Sequence, residues 1–332
     1  MVRRVSSTLQ RRAVTVPAVA LTALALLALA PLWLPLSLLA DLLRGRFRLP
    51  TTRLLAFALC WAWLESMGVA AAAGLWLTGQ RRNQRAHFAL QRWWAARLMG
   101  ALRATAGMRV EAVDAGCLAP GPAVMLCRHA SLADSLLSAW IITSHAGMNP
   151  RYVLKRELLY DPCLDIVGNR LPNHFLDRQA TDTAPELAAL RGLAAGLQAD
   201  EIAVIFPEGT RSSPTKRQRA LDKIRERDPG RADRLAPLRR LLPPRPAGAE
   251  ALLDGCPTAD AVVAWHVGFD GLDTFGGIIR HLSRRPLPVR FHAERVARAE
   301  LPSGGEFRTW LDDVWLRMDR SVDELLHLEG SS

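Results

Sequence analysis

A histidine and an aspartate five positions apart say little alone, but in Arg128-His129-Ala130-Ser131-Leu132-Ala133-Asp134 the pair follows directly on the apolar run Val124-Met125-Leu126. On one continuous helix the two side chains would point about 140° apart, at 3.6 residues per turn. Ser131 followed three positions later by Asp134 resembles a capping box, which predicts a helix starting at Ser131 and leaves His129 on the strand-to-helix turn before it. From the first helical turn Asp134 then reaches back to the imidazole. A carboxylate bonded to one ring nitrogen fixes the tautomer and leaves the other nitrogen to take a proton, which is the arrangement of an oriented general base. The plainer alternative is a capped helix beside an idle loop histidine, and only a second constellation can decide between them.

That constellation is Phe206-Pro207-Glu208-Gly209-Thr210-Arg211-Ser212, after the β-like run Ile202 to Phe206. Gly209 permits an unusual backbone angle or a close ligand approach, and Arg211 presents a planar fork of donors suited to a phosphate. A strand leading into such a turn at the carboxyl edge of an open α/β sheet is where ligands usually bind.

Together and in this order, the two motifs resemble those of the 1-acyl-sn-glycerol-3-phosphate acyltransferase family. Between them Phe175-Leu176-Asp177-Arg178 is similar to the family's middle motif, and Lys155 stands where members often carry a phosphate-contacting lysine. The resemblance covers roughly His87 to Pro302. It implies an acyltransferase-type, mostly parallel sheet flanked by helices, an acyl-CoA or acyl-carrier-protein donor as co-substrate, and lysophosphatidic acid as acceptor. Residue by residue, it implies His129 and Asp134 as the catalytic pair. Lys155, Arg178, Glu208, Gly209, Thr210 and Arg211 would form the acceptor-phosphate site, with Glu208 shaping it. No other cofactor and no metal is implied. The segment matching the fourth motif, Ala261 to Phe269, lacks the family's proline, and 49 residues separate Arg211 from Ala261, which resembles an extended branch. His266 on that segment could contact ligand, but a strand histidine satisfied within the fold is the more ordinary reading.

The elements that must position these residues are legible in outline. Met108 to Val113, Ala123 to Cys127, Ile202 to Phe206 and Ala261 to Val267 read as strands, and Ser131 to Thr143 and Thr183 to Gln198 as helices. Such alternation predicts an α/β domain with a largely parallel sheet. Phe307, Trp310, Leu311, Val314, Trp315 and Met318 repeat at helical spacing and predict a core-facing helix. Ser213 to Leu242 holds ten Lys or Arg against four acids, interleaved with leucines. It reads as a solvated charged face or as a basic arm on anionic lipid.

The N-terminus has a different character. Ala13 to Ala40 is 28 residues without a charge, and Leu54 to Leu77 is broken only by Glu65. Each is long enough to span a bilayer, which takes roughly 20 apolar residues. A cleaved leader is the competing reading of the first run, but Pro31 directly follows the small-residue triplet ending at Ala30. If both runs span, the arginines at 44–53 face the wrong side under the positive-inside rule; Pro31 and Pro35 could instead kink the first helix into a re-entrant or in-plane hairpin, which would keep the arginines at 44–53 and 81–85 both on the cytoplasmic side. Residues 1–80 are therefore expected to anchor a catalytic domain over 81–332, with a basic insertion at 213–246. His87 to Ala106 reads as an amphipathic helix whose Trp93 and Trp94 suit either the headgroup layer or ordinary packing. Five scattered cysteines without a Cys-x-x-Cys pair predict reduced thiols. A net charge of +11 calls for an anionic partner, here a membrane surface rather than nucleic acid. Transfer to another lipid headgroup and a non-catalytic anionic-lipid or nucleic-acid binder are the alternatives.

Overall fold

The computed structural model describes residues 7–131, 133–177, 182–272, 274–284 and 288–330. In chain order, α1 (Thr8–Ala28), α2 (Ala30–Leu43), α3 (Pro50–Leu77) and α4 (Gln84–Ala106) lead into β1 (Val110–Ala112), β2 (Ala123–Cys127), α5 (Asp134–Ser144) and β3 (Asn149–Lys155). There follow α6 (Pro162–Gly168), β4 (His174–Leu176), α7 (Ala184–Ala194), β5 (Glu201–Ile205), α8 (Pro214–Arg225), α9 (Pro229–Leu235) and α10 (Pro246–Gly255). The chain ends with β6 (Asp260–Val267), α11 (Phe275–Ser283), β7 (Val289–Val296) and α12 (Gly305–Gly330). These elements form two compact units, one of residues 1–109, 154–180 and 275–286, the other of 110–153, 181–274 and 287–332.

The first unit is mostly helical and also carries β4. α1 and α3 are each long and apolar enough to cross a membrane. Leu21, Leu24, Leu27, Leu32, Leu36 and Leu39 on α1 and α2 are exposed, an arrangement that water alone would not favour. The chain breaks at Leu29, with Pro31 in the first turn of α2, where a missing N–H costs nothing; Pro35 stays within α2. The polar groups of this unit are tied inward. Glu65 is fully buried and accepts from Trp94 Nε1 at 3.0 Å and from the Cys163 N–H at 3.2 Å. Arg11 meets Asp165 through Nε at 3.1 Å and Nη2 at 2.8 Å, and Asp41 accepts from the first free N–H groups of α3, at Thr51 and Thr52. α4 packs against α3 and buries Phe88, Leu90, Ala95, Leu98 and Met99, so Trp94 serves packing.

In the second unit, β2 lies between β6 and β5, and the order across six strands is β1-β7-β6-β2-β5-β3. β2 runs parallel to both neighbours, with Leu126 opposite Ile205 on one side and Val263 on the other. β3 continues parallel beyond β5, whereas β7 turns back antiparallel to β6. Every residue of β2 and β5 is buried, as befits parallel strands covered on both faces, and explains why they read as short apolar runs rather than alternating ones. One face is covered by α7, α10 and α12, whose Leu190, Leu252, Leu311 and Trp315 share a core with Val124, Ile205 and Val263. Phe307, Leu311, Val314, Trp315 and Met318 are all buried, as their spacing predicts.

The basic segment folds onto this unit instead of standing off as an arm. Leu221, Leu235, Leu238, Leu241 and Leu242 are buried. Arg231 and Arg234 both bond the fully buried Asp312, the N–H groups of Arg239, Arg240 and Leu241 all donate to Asp319, and Arg240 Nε reaches Asp323 at 2.6 Å. Asp312, Asp319 and Asp323 recur at seven and four residues, hence on one face of α12. Half of the apparent surplus of charge is neutralised here; Lys216, Arg219 and Lys223 on α8 stay exposed.

Candidate active site

Because β2, β5 and β6 are parallel, their carboxyl ends lie along one edge of the sheet, and each delivers part of the site. β2 ends at Cys127 and the chain continues through Arg128 to His129. β5 runs into the turn at Glu208. β6 ends just past His266.

The helix after His129 starts at Asp134, three residues later than the sequence predicts, and Ala133 occupies the N-cap without a side-chain bond. The capping box is half formed: Asp134 accepts from the Ser131 N–H, but the Ser131 hydroxyl takes the N–H of Ala133 at 3.0 Å instead of that of Asp134. Asp134 Oδ2 accepts from His129 Nδ1 at 2.8 Å, from the Ala130 N–H at 2.6 Å and from the Ser131 N–H at 2.9 Å. Ser131 donates its hydroxyl to Oδ1 of the same carboxylate. Burial opposes ionisation of Asp134, yet the flanking imidazoles of His266 and His129 hold its carboxyl well below the ordinary range. An ionised carboxylate only accepts, so His129 carries its proton on Nδ1. His129 is partly exposed, with 19% of its side chain accessible, and its Nε2 has no partner among the described residues.

The second motif fastens the backbone of the first. Glu208, expected at the acceptor, is buried, and its two oxygens take the N–H of His129 at 2.7 Å and the N–H of Leu242 at 2.9 Å. Ser212 donates its N–H to the carbonyl of His129 at 2.9 Å, and Phe206 lies 4.8 Å from the imidazole, ring centre to ring centre. Gly209 has φ +70°, the left-handed region that glycine enters without strain. A Cβ there would meet the guanidinium carbon of Arg245 at 3.3 Å. Thr210 and Arg211 are partly buried on the same turn, immediately before Ser212. Lys155 belongs to the first unit, where it is 45% exposed in its side chain and 3.5 Å from Glu157. Arg178 lies outside the described residues.

Two features at this edge were not read from the sequence. Arg128 is buried, with Nη2 2.5 Å from Asp270 and Nη1 donating to the carbonyl of His266. Burial works against its charge, and Asp270 more than restores it. His266 is 4% exposed, and its Nε2 lies 3.0 Å from Asp134 Oδ1, although off the line of a well-formed hydrogen bond. Nothing in the order of residues announces these contacts, since they depend on β6 lying beside β2.

The Glu208 arrangement leads to a stability prediction. Burial pushes its carboxyl up from 4.5 to about 8, against the pull of its two backbone donors. The folded state therefore holds a proton that the unfolded chain releases above 4.5. The resulting stability is complete below that value and has gone once the pH passes about 8. Thermal midpoints of the wild type should fall between pH 5 and pH 8, and Glu208→Gln should flatten that fall. An amide accepts through one atom only, so either the His129 or the Leu242 N–H loses its partner, at a cost of about 1–3 kcal/mol at pH 7. Equal slopes in both proteins would contradict this account of Glu208.

Residues 109–246 match the family model described as Acyltransferase, a span that includes both motifs and the basic segment. None of the curated proteins matches the chain significantly. Among solved structures, the crystal structure of the 1-acyl-sn-glycerophosphate (LPA) acyltransferase, PlsC, from Thermotoga maritima is similar over 79% of this chain and 95% of its own, at 16% identity and a TM-score of 0.48.

Proposed function

We propose that the chain, whose residues 109–246 match the Acyltransferase family model, is an acyltransferase that acylates the free hydroxyl of lysophosphatidic acid at a membrane surface, using acyl-CoA or acyl-carrier protein as donor. The observation that carries the mechanism is the 2.8 Å bond from His129 Nδ1 to Asp134, with Nε2 left for substrate. Nε2 takes the proton of the acceptor hydroxyl while that oxygen attacks the thioester carbonyl. Asp134 stabilises the imidazolium, the tetrahedral adduct collapses, and the departing thiolate takes the proton back. Ser131, the nearest hydroxyl in the sequence, is buried and donates to Asp134, which supports direct transfer over an acyl-enzyme.

On the strength of the motif resemblance, the acceptor's phosphate is assigned to Arg211. The exposed leucines of α1 and α2 and the lengths of α1 and α3 support an anchor, and the arginines at 44–53 and 81–85 are the reason for reading the catalytic side as cytoplasmic. A one-chain lipid and its two-chain product both reside in the bilayer surface, so an anchored enzyme meets them where they are.

The acceptor is tested with labelled donor and a panel of one-chain lipids. Arg211→Ala should raise KM for lysophosphatidic acid by about 10- to 100-fold, the worth of a charge-assisted phosphate contact, and spare an acceptor without phosphate. Equal losses on both would remove Arg211 from phosphate recognition.

A further inference from the structure

The carboxylate of Asp134 serves more than one imidazole. His129 Nδ1 bonds Oδ2, and His266 Nε2 stands 3.0 Å from Oδ1 on the opposite side. His266 is nine-tenths buried or more, and among the described residues neither of its ring nitrogens has a well-formed hydrogen bond. A buried imidazole with both nitrogens unanswered is costly unless it meets a charge. The one it meets is the carboxylate that orients the base.

The backbone fixes this encounter from two sides. The His266 carbonyl accepts from Arg128, whose guanidinium is locked on Asp270, and the β2–β6 register runs to Cys127 opposite Ala264. Phe269 meets the imidazole edge-on at 5.3 Å between ring centres. Opposite His266 on β7 stands Phe291, which is apolar and buried. Among the described residues, the titratable or charged groups around the pair are Cys127 and Arg128 from the end of β2, Glu208 from the turn after β5, and Asp270 after β6.

We propose that His266 is a positioning residue for the acyl transfer: its Nε2–H holds Oδ1 of Asp134 so that Oδ2 faces His129, and it tunes the proton affinity of the base through that carboxylate. The inference rests on the reading of His129 as that base. A donor on Oδ1 withdraws charge from the carboxylate, so the imidazolium of His129 is less stabilised than it would be beside Asp134 alone. Removing His266 leaves the carboxylate a stronger partner, and the base then stays protonated to higher pH. Activity at mildly acidic pH falls.

The experiment measures kcat/KM from pH 5 to pH 9 on the full chain in mixed micelles, for the wild type, His266→Phe, His266→Gln and His129→Ala, with a thermal midpoint for each. The proposal expects the acid limb of His266→Phe to move up by about half a pH unit or more, with kcat at pH 6 down about threefold or more and KM little changed. Gln, whose amide N–H reaches the place of Nε2, should return the limb toward the wild type. Coincident limbs for the wild type and His266→Phe, with His129→Ala inactive, overturn the positioning role alone. Full turnover by His129→Ala overturns the reading beneath it. The unmutated chain gives a test independent of folding in the variants: with 15N-labelled histidine, His266 should carry its proton on Nε2 throughout the active range, and a bare Nε2 there overturns the proposal.

Discussion

Asp134→Asn should lower kcat by about 10²- to 10³-fold while leaving KM within a few-fold, because it removes the charge that the reaction calls on only when the base becomes an imidazolium. The neighbourhood of Asp134 says how the amide would sit. Three donors converge on Oδ2, namely His129 Nδ1 and the N–H groups of Ala130 and Ser131, so the amide oxygen must stay there. The amide nitrogen then takes the place of Oδ1, where the Ser131 hydroxyl can rotate to accept from it and His266, 3.0 Å away, must move its proton from Nε2 to Nδ1. The tautomer of His129 is thereby preserved, and the loss comes from exchanging an anion for a dipole. With no anion beside it, the imidazole binds its proton less tightly, so the acid limb of kcat/KM moves down in pH, opposite to the shift expected for His266→Phe. Stability follows the same logic. The wild-type carboxyl lies below its ordinary value of 3.8 through its imidazole partners, so its contribution is present above that value and erodes as the pH falls through the folded one. The Asn variant should show less of that acid erosion. An unmoved acid limb would mean that Asp134 does not govern the base.

What the sequence made legible was the local framework. β2 falls on the apolar run Ala123 to Cys127 residue for residue, and β5 and β6 fall within a residue of their expected bounds, because strands buried on both faces must be continuously apolar. Gly209 was legible for a related reason, since a turn into the left-handed region leaves few other choices. The start of α5 was not. A serine three residues before an aspartate has the spacing of a reciprocal cap, but here the aspartate is claimed by a histidine and two N–H groups behind it, and that competition cannot be weighed from spacing.

Contacts that depend on strand order were hidden for a deeper reason. His266 and Asp134 are 132 positions apart, and Arg128 and Asp270 are 142. Asp134 and His266 each draw notice in their own segments, but only the placement of β6 against β2 joins the partners. The basic segment illustrates the same limit. Its arginines and the aspartates of α12 are each visible as charges in the sequence, yet without their pairing the arginines look like a solvated face.

The base itself supplies the most direct test. Its Nδ1 is committed to Asp134, its N–H to Glu208 and its carbonyl to the Ser212 N–H, so its backbone and one ring nitrogen are fixed and the remaining nitrogen is left for chemistry. His129→Ala keeps both backbone bonds and removes only the imidazole, so the thermal midpoint should stay near that of the wild type. General-base assistance of this kind contributes about 10²–10⁴-fold. The decisive measurement is the initial rate of labelled acyl transfer from acyl-CoA to lysophosphatidic acid by wild type and His129→Ala side by side, with phosphatidic acid identified as the product. The account predicts product from the wild type and a loss in that range for the folded variant; a variant that turns over as fast as the wild type would contradict it.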